Sequence, residues 1–139
     1  MEREFELPDW KPGTVSMLAT VGDGPHAIPV STAVRASERR IVLALGARRG
    51  SLERLLEDPR VALTVLAAGD VAFTAHGTAQ VVADPLPGVD GVVAVEIRVE
   101  SVSSHKRPTF AIEDGVVWDW ADEAARERDA SVRDALLQI

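Results

Sequence analysis

Arg40-Ile41-Val42-Leu43-Ala44-Leu45-Gly46, then Ala47-Arg48-Arg49-Gly50-Ser51, then Leu52 to Asp58, then Pro59-Arg60-Val61-Ala62-Leu63-Thr64-Val65: these consecutive segments carry the decisive pattern of the chain. The first and last are apolar runs of strand length rich in branched residues. Between them lie a tight basic turn and a helix from Ser51 to Glu57, which Asp58-Pro59 must end because the residue before proline avoids helical geometry. The turn sets two arginines, a glycine and a serine at a helix N-terminus. Free backbone amides and the helix dipole favour negative charge there, and arginine adds a rigid fork of donors suited to phosphate. Ser51 can cap the helix or donate its hydroxyl to a phosphate oxygen. Two readings are open at this point: an anion site, or an ordinary capped helix with two solvated arginines.

Working outward, Thr14 to Val21 reads as a strand and Gly22-Asp23-Gly24 as a tight turn. Pro25 to Val34 returns as a second strand, and Pro29 within it removes a ladder donor, which calls for an edge, a bulge or an opening. Arg35 to Arg39 is polar and turn-like. After Arg60 to Ala67 comes a long strand, Val71 to Ala83, with Phe73, Ala75, Ala79 and Val81 on one face and Thr74, His76, Thr78 and Gln80 on the other. Gly77 marks a bulge or a close backbone approach. Val92 to Ser101 alternates cleanly, with Val93, Val95, Ile97 and Val99 turned inward. Pro108 to Ile112 and Val116 to Trp120 read as two further strands around an Asp114-Gly115 hairpin turn. Asp122 to Gln138 is an amphipathic helix, N-capped by Asp122, with Ala125, Val132, Ala135, Leu136 and Ile139 as its apolar stripe. Its charges from Arg126 to Asp134 read as a solvated face. Residues 1–13 form an arm whose Phe5, Leu7 and Trp10 can pack on the rest. Many short strands with one inserted helix predict an antiparallel barrel rather than a parallel βαβ sheet.

The chain has 139 residues and a net charge of -7. That length supports one domain, 1–139, and that charge disfavours nucleic-acid or anionic-membrane partners. It has no cysteine, which excludes thiolate chemistry. His26, His76 and His105 show no metal-ligand spacing, so no metal is expected. With no signal-like start and no apolar run of membrane-spanning length, the chain is expected to be soluble and cytoplasmic. The carboxylates are dispersed and no pair is placed for acid–base work, so no catalytic side chain is assigned.

Three runs, taken in order, resemble the pyridoxamine 5′-phosphate oxidase-like flavin-binding split barrels. They are Ala19-Thr20-Val21 with Gly24-Pro25-His26-Ala27-Ile28-Pro29-Val30, then Gly50-Ser51-Leu52 through Asp58-Pro59-Arg60-Val61-Ala62-Leu63, then His76-Gly77-Thr78-Ala79. The resemblance implies a mainly β fold: a six-stranded antiparallel split β-barrel with a short inserted helix and a C-terminal helix. It implies a cytoplasmic homodimer with flavin at the subunit interface, and an oxidoreductase passing hydride through FMN to a small-molecule substrate. A deazaflavin is the alternative cofactor, and haem a more distant one. A non-catalytic binding module of the same fold is the alternative to an enzyme. The resemblance places the cofactor phosphate at Arg48, Arg49, Gly50 and Ser51, and the ring along Pro29, Val30 and Ser31 with Gly46 and Ala47. Trp118 and Trp120 share strand parity, giving either an aromatic wall over cofactor or substrate or a packing cluster. The chain departs from the family pattern at Ser51, where many members carry a basic residue, at Arg54, where many carry asparagine, and at Ser31-Thr32, where an aromatic is common. The phosphate charge is then expected to rest on Arg48 and Arg49, with Arg54 a further candidate.

Overall fold

The computed structural model describes residues 5–139; the first four residues of the arm lie outside it. Seven strands form one antiparallel sheet. They are β1 (Ser16–Thr20), β2 (His26–Val30), β3 (Val34–Ser37), β4 (Arg40–Gly46), β5 (Arg60–Ala67), β6 (Val71–Ala83) and β7 (Val92–Ser104). Their order is β2-β1-β5-β6-β7-β4-β3, so the sheet is coiled but not closed, a split barrel. Helix α1 (Gly50–Glu57) bridges β4 and β5, and α2 (Glu123–Leu137) follows the last strand. No helix among the described residues is long and apolar enough to cross a membrane.

Alternation along the strands supplies the core. Leu18, Ile41, Leu43, Leu63, Val65, Phe73, Ala75, Val95 and Ile97 are buried together with Leu52 and Leu55 of α1. The arm joins them as expected: Leu7 is 1% and Trp10 8% exposed, and the Trp10 ring tilts against Phe73 at 5.7 Å. A second cluster forms on the other side of β4 and β7, where Val132 and Leu136 of α2 meet Val42, Ala94, Leu86 and Val89. The Asp122 carboxylate caps α2 by accepting from the Ala125 amide at 2.8 Å. Arg40 of β4 donates to Glu96 of β7 at 2.8 Å, a partly buried ion pair across the two strands.

Gly77 has a strict steric cause. A Cβ built there would lie 2.1 Å from the carbonyl oxygen of Arg98, and the β6–β7 register shifts between His76 and Gly77. The backbones approach where any side chain would hold them apart, and such a bulge bends a sheet.

Three sequence expectations are corrected. The strand foreseen from Pro25 to Val34 is two strands, and the polar stretch after it is partly strand, which raises the count from six to seven. The break has a side-chain cause. Thr32 accepts from the Ala44 amide at 3.0 Å and donates to the Ala44 carbonyl at 3.1 Å, so one hydroxyl does the work of a ladder residue. The flanking carbonyls also find side chains: Ala33 accepts from Trp10 Nε1 at 2.8 Å. Leu7 accepts from Arg35 Nε at 2.9 Å, which ties the arm to β3. On the free edges, β2 carries Pro29, paired with Met17, and the four-residue β3 slips register between Arg35 and Ser37.

The second correction concerns Pro108 to Trp120. It forms neither the two strands nor the hairpin, but an extended strap with one isolated bridge, Arg107 to Phe110. Asp70 pins it twice, its amide donating to the Ile112 carbonyl and its carboxylate accepting from the Ile112 amide, both at 3.1 Å. The third is the head of α1. Arg49, not Ser51, occupies the N-cap position, and no side chain caps the helix.

Gly77→Ala should lower stability by about 3 kcal/mol, the upper range for overpacking a closed interior. Urea denaturation checks this; an unchanged midpoint would show that the β6–β7 approach relaxes freely.

Candidate functional site

Arg48 and Arg49 sit in a turn closed by backbone bonds. Ala47 donates to the Gly91 carbonyl at 2.9 Å and Arg49 to the Gly46 carbonyl at 3.0 Å. Gly46, Ala47, Arg48, Arg49 and Gly91 line an open cavity of about 460 Å³. The stem of Arg49 crosses Gly46, its Cγ lying 3.2 Å from where a Cβ on residue 46 would be. Both arginines are exposed. The first amides of α1, those of Gly50 and Ser51, precede the first intrahelical bond and point out of the helix end. Two exposed cations lining a concavity just before a helix N-terminus suit an anion.

Ser51 and Arg54 do other work. Ser51 is 1% exposed, and its hydroxyl lies 3.1 Å from His26 Nε2, joining α1 to the first residue of β2. Arg54 donates through Nε to Thr20 Oγ1 at 3.1 Å and through Nη2 to the Gly24 carbonyl at 2.6 Å. Its guanidinium is committed to the β1–β2 hairpin, which leaves Arg48 and Arg49 as the exposed cations of the turn. At the far end of α1, Asp58 takes two hydrogen bonds from the Arg60 side chain, at 3.0 and 2.6 Å.

Pro29 is exposed, Val30 buried and Ser31 half-buried. Because Thr32 stands opposite Ala44, the connector carries Ser31 toward the Gly46 end of β4. The Ser31 carbonyl accepts from Arg133 Nη2 of α2 at 3.2 Å. That arginine links Trp118 to the same region. Trp118 Nε1 donates to the Gly13 carbonyl at 2.8 Å, and a Cβ on Gly13 would lie 3.4 Å from Trp118 Cζ2 and 3.6 Å from Arg133 Nη2. Gly13 also has φ +89°, so glycine is required there twice over. Trp118 meets Trp120 edge to face at 4.8 Å, and Arg126 of α2 lies over the Trp120 ring at 4.7 Å. The two tryptophans, Gly13, Thr14, Leu66 and Val71 are among the residues lining an apolar groove of about 500 Å³.

The predicted residues lie at three places: Gly46, Ala47, Arg48 and Arg49 line the cavity of the basic turn, Ser31 follows β2 and is held by Arg133, and Trp118 lines the groove of the strap. Arg133 was hidden in what read as a solvated helix face. Its Asp129 partner four residues earlier and its place beside Val132 were the available signals. Among the described residues no cluster of three or more His, Asp or Glu could hold a metal.

The sequence profile of the family described as pyridoxamine 5′-phosphate oxidase matches residues 10–106. The chain belongs to that family. No curated protein matches it. Solved structures share the fold at low identity. General stress protein 26 from Bacillus anthracis str. Sterne is 16% identical over 65% of this chain and 82% of its own, with a TM-score of 0.55. A FAD-binding protein from Mesorhizobium loti is 19% identical over 64% and 83%, with a TM-score of 0.53. An F420 reductase is 16% identical over 66% and 90%, with a TM-score of 0.57.

The paired hydrogen bonds from Arg60 hold the Asp58 carboxyl down to about 2. The ion pair is thus complete at neutral pH; its contribution is full above 3.8 and is lost progressively as pH falls from there through about 2. Carboxyl NMR titration should place Asp58 there and show it rising toward the ordinary carboxylate value in Arg60→Ala; an unmoved midpoint would remove Arg60 as the cause.

Proposed function

We propose that the protein is a cytoplasmic flavin-dependent oxidoreductase that binds FMN and acts on a small molecule. The observation that carries this is the donor set at the head of α1. Arg48 and Arg49 line an open cavity at the end of β4, directly before the first residues of α1, Gly50 and Ser51. That set fits a phosphate monoester. Family membership and the FAD-binding and F420-reductase fold neighbours support a flavin-type cofactor.

When bound, the flavin would supply hydride exchange, which no side chain here offers. Arg48 and Arg49 would hold the phosphate. Pro29, Val30, Ser31, Gly46 and Ala47 would lie along the ring, mainly through backbone groups. Trp118 would wall the approach, keeping water from the reacting face. A homodimer suits the exposed apolar side chains, Met17 on β1, Leu66 on β5, and Val116 and Val117 on the strap. A second copy would cover them and complete the pocket.

Purified protein should carry or take up FMN, retain its visible absorption through gel filtration, and elute at twice the chain mass. Arg48→Ala combined with Arg49→Ala should weaken FMN about 100-fold, the scale of two charge-assisted hydrogen bonds, with an unchanged melting temperature. A colourless protein that binds only a deazaflavin would transfer the reading to that cofactor. Normal FMN affinity in the double variant would remove the turn as the phosphate site.

A further inference from the structure

All three tryptophans of the chain, Trp10, Trp118 and Trp120, line the groove of about 500 Å³ between the strap and the end of the sheet. They come from the arm and the strap, far apart in sequence, yet share one concavity. Packing alone does not account for them, since Trp118 keeps 36% of its surface exposed and apolar ring surface left in water is unfavourable. Two of the indoles are fixed. Trp10 Nε1 donates to the Ala33 carbonyl and Trp118 Nε1 to the Gly13 carbonyl, each at 2.8 Å. With those donors used, the rings offer π surface rather than hydrogen bonds, in orientations set before a ligand arrives. The charged residues lining the groove are Lys11 and Asp114. The Asp114 carboxylate accepts from the Gly115 amide at 2.8 Å. Arg126, over Trp120, and Arg133, beside Gly13, are paired with Asp119 and Asp129. Lys11 is exposed and has no carboxylate partner among the described residues. It is one of two lysines in a chain of net charge -7.

We propose that this groove binds a planar aromatic carboxylate, its ring against the Trp118 and Trp120 indoles and its carboxylate on the Lys11 ammonium. The volume is that of a small-molecule pocket, which spans about 300–1,000 Å³. Offset or edge-on contact with a ring is what exposed indole surface favours. A lone ammonium on a flexible stem selects an anion by charge without demanding one geometry. A cationic ring is disfavoured, because Arg126 already lies over Trp120 and Lys11 adds a further positive charge. The groove shares no lining residue with the cavity at Arg48 and Arg49. The inference goes beyond the flavin reading and stands without it.

The test titrates the purified full chain with naphthalene-2-carboxylate and with 2-naphthol, its uncharged counterpart. Binding is read from the indole N–H signals in two-dimensional NMR and by calorimetry. The carboxylate should shift the Trp118 and Trp120 signals saturably and bind about fivefold more tightly than 2-naphthol, the upper range for one exposed ion pair. Lys11→Gln should abolish that preference and leave 2-naphthol binding unchanged. Trp118→Leu should weaken both probes up to about tenfold, the scale of one aromatic contact. Lys11 is exposed, so its variant decides the matter if Trp118→Leu does not fold. Absence of saturable shifts, or equal affinity of the wild type for the two probes, would overturn the proposal. Displacement of bound FMN by the carboxylate would place the probe in the cofactor site and overturn the proposal while supporting the flavin reading. Probe binding without any FMN binding would overturn the flavin reading alone. Probe binding seen only in a monomeric Val117→Asp variant would assign the groove to the contact between copies, again overturning the proposal.

Discussion

Residues 31–33 leave the sheet, and their hydrogen bonds must be made by something other than a neighbouring strand. Buried backbone groups do not go unpaired cheaply. Here the replacements come from three distant parts of the chain. Arg133 of α2 takes the Ser31 carbonyl, Trp10 of the arm takes the Ala33 carbonyl, and Thr32 serves both backbone groups of Ala44. The connector across the split is therefore held in place by side chains. The arm and the last helix are structural members of the barrel as much as the strands are.

The same substitution of side chains for ladder brings the candidate site together. A continued strand would have run past the Gly46 end of β4 and covered it. The break instead leaves the Ser31 carbonyl for the α2 guanidinium of Arg133. The chain as a whole is acidic, at -7, yet the turn at the end of β4 exposes Arg48 and Arg49 together. Local positive potential against an overall negative field is the arrangement that favours an anion at one place over the surface at large.

The strands with clean alternation were legible in the sequence because each residue reports its own face: β6 and β7 came out nearly as read, and the Gly77 bulge with them. The connector was not, since Val30 and Val34 keep an apolar pattern across the break and nothing local shows that Thr32 will replace a ladder partner. The strap failed for the complementary reason. Asp114-Gly115 between apolar runs has the composition of a hairpin, but strand formation needs a partner edge, and Asp70 and Gly13 hold this segment elsewhere. The basic turn was legible because glycine, arginine and a helix start are adjacent in sequence. Arg133 was not, because a buried guanidinium on a charged helix looks like its solvated neighbours until the fold places Ser31 beside it.

The two free edges of the sheet bear on how copies of this chain can associate. β2 carries Pro29, which has no amide to offer, and β3 is four residues long with a register slip. Short, interrupted, proline-bearing edges are what keep natural sheets from adding strands end over end. Strand addition is thereby disfavoured on both sides. The geometry that opens the barrel thereby also protects it from growing into a fibre.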